Sequence, residues 1–141
     1  MATPILIQKR LALRLKLNKI DNLGISAPIL LNEILAKNKY KTKLVQGYCS
    51  LGGETCWHIW VVINDNEPVD INYTIACLHD TSFINRNMIL HMNILPGAPA
   101  PTTDTENTDN WELYQSDHHA FWKKQPIKLQ NMRAKLINTV W

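Results

Sequence analysis

The run Val45–Ile63 constrains the fold more than any other stretch. Two segments rich in Val, Ile, Trp and Tyr, Lys43–Cys49 and Cys56–Asn64, flank the pair Gly52–Gly53. Such residues suit a pleated, half-buried surface, and a diglycine permits the positive φ angles of a tight hairpin turn. A turn placed there fixes the register. Cys49 then faces Cys56, on the same side of the sheet as His58, while Trp57 and Trp60 lie on opposite faces.

A second tight turn is expected at Asn64-Asp65-Asn66, with a third strand over Glu67–Tyr73. His58 in one strand and Asp70 in the next can then meet side by side. A carboxylate so placed fixes the tautomer of an imidazole and steadies its charge.

Helices precede this meander. Thr3-Pro4 supplies a capping hydroxyl and a first-turn proline, predicting a helix over Pro4–Asn18. Leu11, Leu13, Leu15 and Leu17 also alternate as a strand would. Asp21-Asn22-Leu23-Gly24 reads as a turn. Ser26–Asn38 is the clearest helix, with Ser26 as its expected cap and Ile29, Leu30, Ile34 and Leu35 as its apolar stripe. Helix followed by antiparallel meander is an α+β pattern.

After the meander the pattern weakens. Residues 74–93 are ambiguous: Ser82–Met92 fits a helix, or a strand around Met88-Ile-Leu-His. Residues 95–110 hold Pro96, Pro99 and Pro101 among threonines and acids, and read as a surface loop. Trp111–Lys123 and Pro126–Val140 suit two closing helices.

The 141 residues suggest one domain over 1–141, and 45% hydrophobic content is enough for a sizeable core. A net charge of +3 is too small to argue for nucleic acid. No apolar run is long enough for a spanning helix, so no membrane role is expected. Three cysteines and no signal-peptide order point to a reducing, intracellular and cytoplasmic setting.

Several residue groups invite chemistry. Cys56 shares a face with His58, but a thiol on a strand lacks the helix field that lowers thiol pKa. Cys49, Cys56 and His58 match no common zinc spacing, and His118-His119 point apart on a helix, so no metal is expected. Ser26 stands where a helix N-terminus offers a positive field and backbone N–H groups for an oxyanion. Its plain role is that of a cap.

Taken in order, Gly24-Ile-Ser-Ala, Ile29-Leu-Leu-Asn-Glu-Ile-Leu-Ala, Tyr40-Lys-Thr-Lys-Leu-Val-Gln-Gly-Tyr48, Trp57-His-Ile-Trp-Val61 and Val69-Asp-Ile71 resemble the transglutaminase-like core of the papain-like cysteine peptidase superfamily. The likeness covers roughly residues 20 to 75. It implies a helix packed on an antiparallel sheet and a triad built from Ser26, His58 and Asp70. His58 would be the general base and acid, and Asp70 its orienting carboxylate. Ser26 would hold the nucleophile position, where the family carries cysteine.

An engineered cysteine-to-serine change, a natural serine nucleophile, and a dead relative kept for binding each explain that departure. The retained His and Asp favour the first. The implied activity is acyl transfer at a protein or peptide amide, with no cofactor. The backbone N–H at position 26 would donate to the oxyanion. Asn22 is a candidate oxyanion helper, although it equally fits a turn. One of Trp57 and Trp60 would line the cleft and the other the core, although both could serve as sheet cover.

Overall fold

A computed structural model describes residues 2–20, 23–51, 54–79, 89–93 and 105–141. The chain divides into two compact units, Met1–Ala98 with Trp141, and Pro99–Val140. The first holds helices and antiparallel strands and the described residues of the second are helical, giving a mixed α+β chain.

Helix α1 spans Pro4–Leu17, and Thr3 caps it by accepting the Leu6 N–H at 3.2 Å. Its buried stripe is Ile7, Leu11, Ala12 and Leu15, while Leu13 and Leu17 face solvent. Spacings of three and four therefore prevail over the two-residue alternation of the leucines. Helix α2 spans Ser26–Lys37 and is apolar almost all round, with Ala27, Ile29, Leu30, Leu31, Ile34 and Leu35 buried. Burying each large aliphatic side chain stabilises the unit by about 1.5–3 kcal/mol.

Both helices end alike. Lys19 and Lys39 adopt left-handed φ values of 53° and 66°. The N–H of Ile20 reaches back to Leu15 O, and that of Tyr40 to Leu35 O. These are Schellman closures with lysine where glycine is commonest.

The sheet comprises β1 (Thr42–Leu51), β2 (Glu54–Ile63), β3 (Glu67–Val69) and β4 (Ile89–Asn93), in the order β3-β2-β1-β4. All pairings are antiparallel. The hairpin register agrees with the sequence reading, with Cys49 opposite Cys56 and Gly47 opposite His58. The Asn64-Asp65 turn also forms, through left-handed φ values of 51° and 72° and an Asn66 N–H to Ile63 O bond of 3.3 Å. Asn and Asp tolerate this region better than most residues. Strand β2 is buried from Ile59 to Ile63, on both faces, with α2 packed against β1 and β2.

Three expected boundaries need correction. The third strand stops at Val69, and helix α3 (Ile71–His79) begins two residues on. Thr105–Asn110, read within a surface loop, opens helix α4 (Thr105–Ser116); residues 95–104 lie outside the described residues. Trp111–Lys123 is not one helix. Asp117 turns to φ −157° and accepts the Ala120 N–H, ending α4 and capping helix α5 (His118–Lys124). An Asx side chain that satisfies a new helix start competes with continuation of the old one. Helix α6 (Ile127–Ile137) follows Pro126. Trp111, Tyr114, Phe121 and Trp122 form the aromatic core of this second unit, with Tyr114 and Phe121 edge-to-face at 5.5 Å. Of the ambiguous stretch 74–93, residues 74–79 belong to α3 and Ile89–Asn93 is strand; residues 80–88 lie outside the described residues.

Candidate active site

Asp70 stands at the junction of β3 and α3. Its carboxylate makes two bonds in two directions. Oδ1 accepts the backbone N–H of Tyr73 at 3.1 Å, which caps α3. Oδ2 lies 2.8 Å from His58 Nε2. The helix start thus sets the rotation of the carboxylate, and the carboxylate sets the ring. A carboxylate accepts, so Nε2 carries the proton donated to Asp70. Nδ1 is then left to take or give a proton.

The pair is graded in exposure. The Asp70 side chain is 5% exposed and that of His58 is 19% exposed. The carboxylate is shielded while the imidazole keeps an open edge. Gly47 opposite His58 has no side chain to crowd the ring. Trp60, on the same face, lies 6.2 Å from the ring centroid to centroid, nearly parallel.

The backbone of Asp70 is pinned as firmly as its side chain. Its carbonyl accepts the Thr74 N–H at 3.2 Å, the Thr74 hydroxyl at 3.3 Å and the Gln8 side-chain amide at 3.2 Å. Gln8 also donates to Thr74 Oγ1. It is a buried amide on the otherwise apolar face of α1. A second amide ties the other side. Asn72 Nδ2 donates to Gly24 O at 3.1 Å, joining the first turn of α3 to the approach to α2.

Ser26 is the first residue of α2 and is not its cap. Ile25 holds the cap position with helical φ and ψ and makes no side-chain cap bond. The Ser26 side chain is buried, and Oγ has no hydrogen-bond partner among the described residues. His58 and Asp70 are therefore brought into contact, while Ser26 Oγ makes no hydrogen bond to His58. Pro28 falls in the first turn of α2, where its missing N–H leaves no helix bond unmade.

Trp60 is 1% exposed and belongs to the core. Trp57 is half-buried on the face away from His58, and its indole nitrogen has no partner among the described residues. Asn22 lies outside the described residues, as do the side chains of Cys49 and Cys56. His118 stacks on Tyr114 at 4.0 Å.

Gln8, Asn72 and Gly47 escaped the sequence reading. Gln8 had a signal, being a polar residue within a buried stripe. Gly47 could have been found from the hairpin register alone. Asn72 had none, because its partner lies 48 residues away.

The fold and site define a mixed α+β chain with a shielded carboxylate–imidazole pair at a strand-to-helix junction. Comparison with protein-family models, curated proteins and solved structures finds no match. No helix of the described residues is long and apolar enough to cross a membrane.

Proposed function

We propose that the chain is a transglutaminase-like, papain-type hydrolase or acyltransferase domain acting on a protein or peptide amide, with serine at the cysteine position. The observation that carries this reading is the Asp70 carboxylate, held by the cap of α3, bonded at 2.8 Å to an imidazole with an open edge. A core histidine needs a partner, but not one locked by a second bond and three backbone anchors.

In the active form a sulfur at position 26 loses its proton to His58 Nδ1. The thiolate attacks the amide carbonyl carbon. As the tetrahedral intermediate collapses, the C–N bond breaks and the imidazolium gives its proton to the leaving amine. Water or a second amine then attacks the thioester, His58 takes the incoming proton, and sulfur leaves. Asp70 keeps Nε2 protonated throughout and stabilises the imidazolium. The N-terminus of α2 lowers the energy of the thiolate and of the oxyanion.

The unpartnered hydroxyl of Ser26 supports a cysteine at this place. A buried hydroxyl without a bond costs about 1–3 kcal/mol. A thiol is a weak donor and loses little there. As a serine protein the chain is inactive or weakly active.

The second reading is a binding domain of the same fold without catalysis. It is favoured by the same hydroxyl, which has no bond to the base. The test is acylation. Ser26→Cys is mixed with an activated aryl ester, and adducts are located by mass spectrometry. An adduct on the introduced sulfur that turns over to water or amine supports the enzyme. Acylation no faster than for a free thiol leaves the binding domain.

A further inference from the structure

The first unit holds a cavity that the proposed reaction does not use. It lies between α1 and α3, has a volume of about 460 Å³ and is lined by Lys9, Leu13, Tyr73, Thr74, Cys77 and Leu78. Residues four apart on a helix stand one above the other. Lys9 and Leu13 therefore make one wall, and the pairs Tyr73 with Cys77 and Thr74 with Leu78 make the other. Leu13 is 46% exposed, although Ile7, Leu11 and Leu15 of the same helix are fully buried. The cavity gives this leucine, left out of the core, an apolar surface to share.

Most polar atoms of these walls are already engaged. The Thr74 hydroxyl donates to Asp70 O at 3.3 Å and accepts from the Gln8 amide, so its methyl group is what it offers a ligand. The Tyr73 phenol pairs with the Cys77 thiol. Further along α1, Lys16 donates to Leu78 O at 2.7 Å and ties the two helices together. Lys9 differs from all of these. It is exposed, and among the described residues its ammonium has neither an ion pair nor a hydrogen bond. Neither α1 nor α3 contains an acidic residue to neutralise it. A lysine beside an apolar wall lays its methylenes along that wall and keeps its charge at the water.

We infer that this cavity binds a small apolar carboxylate, a medium-length fatty acid, with its chain between α1 and α3 and its carboxylate paired to Lys9 at the mouth. Ligand cavities commonly measure ~300–1,000 Å³, with mostly apolar walls and a few polar groups that fix orientation. At ~30 Å³ per water-sized group there is room for about fifteen, enough for a chain of about eight to ten carbons and its head. A neutral hydrocarbon would leave the ammonium unused, and an amine would be repelled. A phosphate asks for several donors where one is offered. The site is independent of the reading given to His58 and Asp70.

The test is NMR titration of the full chain, following the methyl groups of Leu13 and Leu78. One arm adds sodium octanoate below its micelle concentration, and a second adds octanol as the uncharged probe. Saturable shifts are expected with both, at lower concentration for octanoate. Lys9→Gln should weaken octanoate about tenfold, the loss of one charge-assisted contact, and leave octanol unchanged. Leu13→Ser, at an exposed position, should weaken both probes, and Lys43→Gln neither. Shifts that do not saturate, or an octanoate affinity that Lys9→Gln leaves as it was, overturn the site. So do shifts that grow with protein concentration in the absence of either probe, which assign the cavity to a second copy of this chain.

Discussion

Asn72 donates its side-chain N–H to the carbonyl of Gly24 at 3.1 Å. This bond links the helix that Asp70 caps to the loop that delivers Ser26. The two halves of the proposed triad come from segments far apart in sequence, and Asn72 is one tie between them. Asn72→Ala should cost about 1 kcal/mol of stability. In the Ser26→Cys background it should also slow alkylation of the sulfur several-fold, with the slowing greatest where His58 matters. Denaturant titration and an iodoacetamide time course check the two effects separately.

Asp70 performs two tasks with two oxygens, and substitutions can part them. Asp70→Asn keeps an oxygen to cap α3, since Asn and Asp cap almost equally well. It loses the charge facing His58. Asp70→Ala loses both. The expected stability cost is therefore about 1–2 kcal/mol for alanine and a small fraction of that for asparagine. Sulfur reactivity in the Ser26→Cys background should fall in both. Thermal unfolding alongside alkylation rates would show that split.

Gly47 makes room for the imidazole from the facing strand. A branched side chain there is expected to displace the ring or strain the hairpin. Gly47→Val should destabilise by about 1–3 kcal/mol, as overpacking does. The His58 ring resonances should shift even where the fold survives.

Lys39 occupies a left-handed position with φ of 66° that favours glycine. The left-handed conformation costs a side-chain-bearing residue roughly 1–2 kcal/mol, partly offset by the freedom glycine has when unfolded. Lys39→Gly should raise stability by about 0.5–1 kcal/mol. A fall in the melting temperature would show that the Schellman closure of α2 is not as described.

Burial, and then Cys77 nearby, push the Tyr73 phenol above its ordinary range. The folded state therefore holds this proton more tightly than the unfolded chain. The associated stability is complete below about pH 10 and is lost as pH rises through the raised value. Tyr73→Phe should flatten the alkaline fall in stability. Cys77→Ala should bring the phenol back toward its normal titration, read by phenolate absorbance.

Much of the frame was legible because it rests on local chemistry. Thr3-Pro4 set the start of α1, and the diglycine set the register that pairs Cys49 with Cys56. The meeting of His58 with Asp70 was legible across the single turn at Asn64-Asp65-Asn66, although Asp70 lies just past the end of β3 and not within it. The junction at Asp70 was not legible. Val69, Ile71 and Tyr73 alternate like a strand, while the structure holds a helix start there, with the capping bond to Tyr73 and with side-chain amides that tie Asp70 and Asn72 to segments 62 and 48 residues away. Serine at a helix start is usually a cap, yet the helix begins at Ser26 itself and Ile25 holds the cap position. The break at Asp117 is a contest between continuing α4 and starting α5, which spacing alone does not decide.

The measurement closest to the central claim is the pH dependence of iodoacetamide alkylation at position 26, in Ser26→Cys with and without His58→Ala. A sulfur paired with the imidazole should react well below the pH at which a free thiol does, and His58→Ala should return the curve to that of a free thiol. Superimposable curves for the two proteins, both rising near pH ~8.5 as an ordinary cysteine does, would contradict the proposed site.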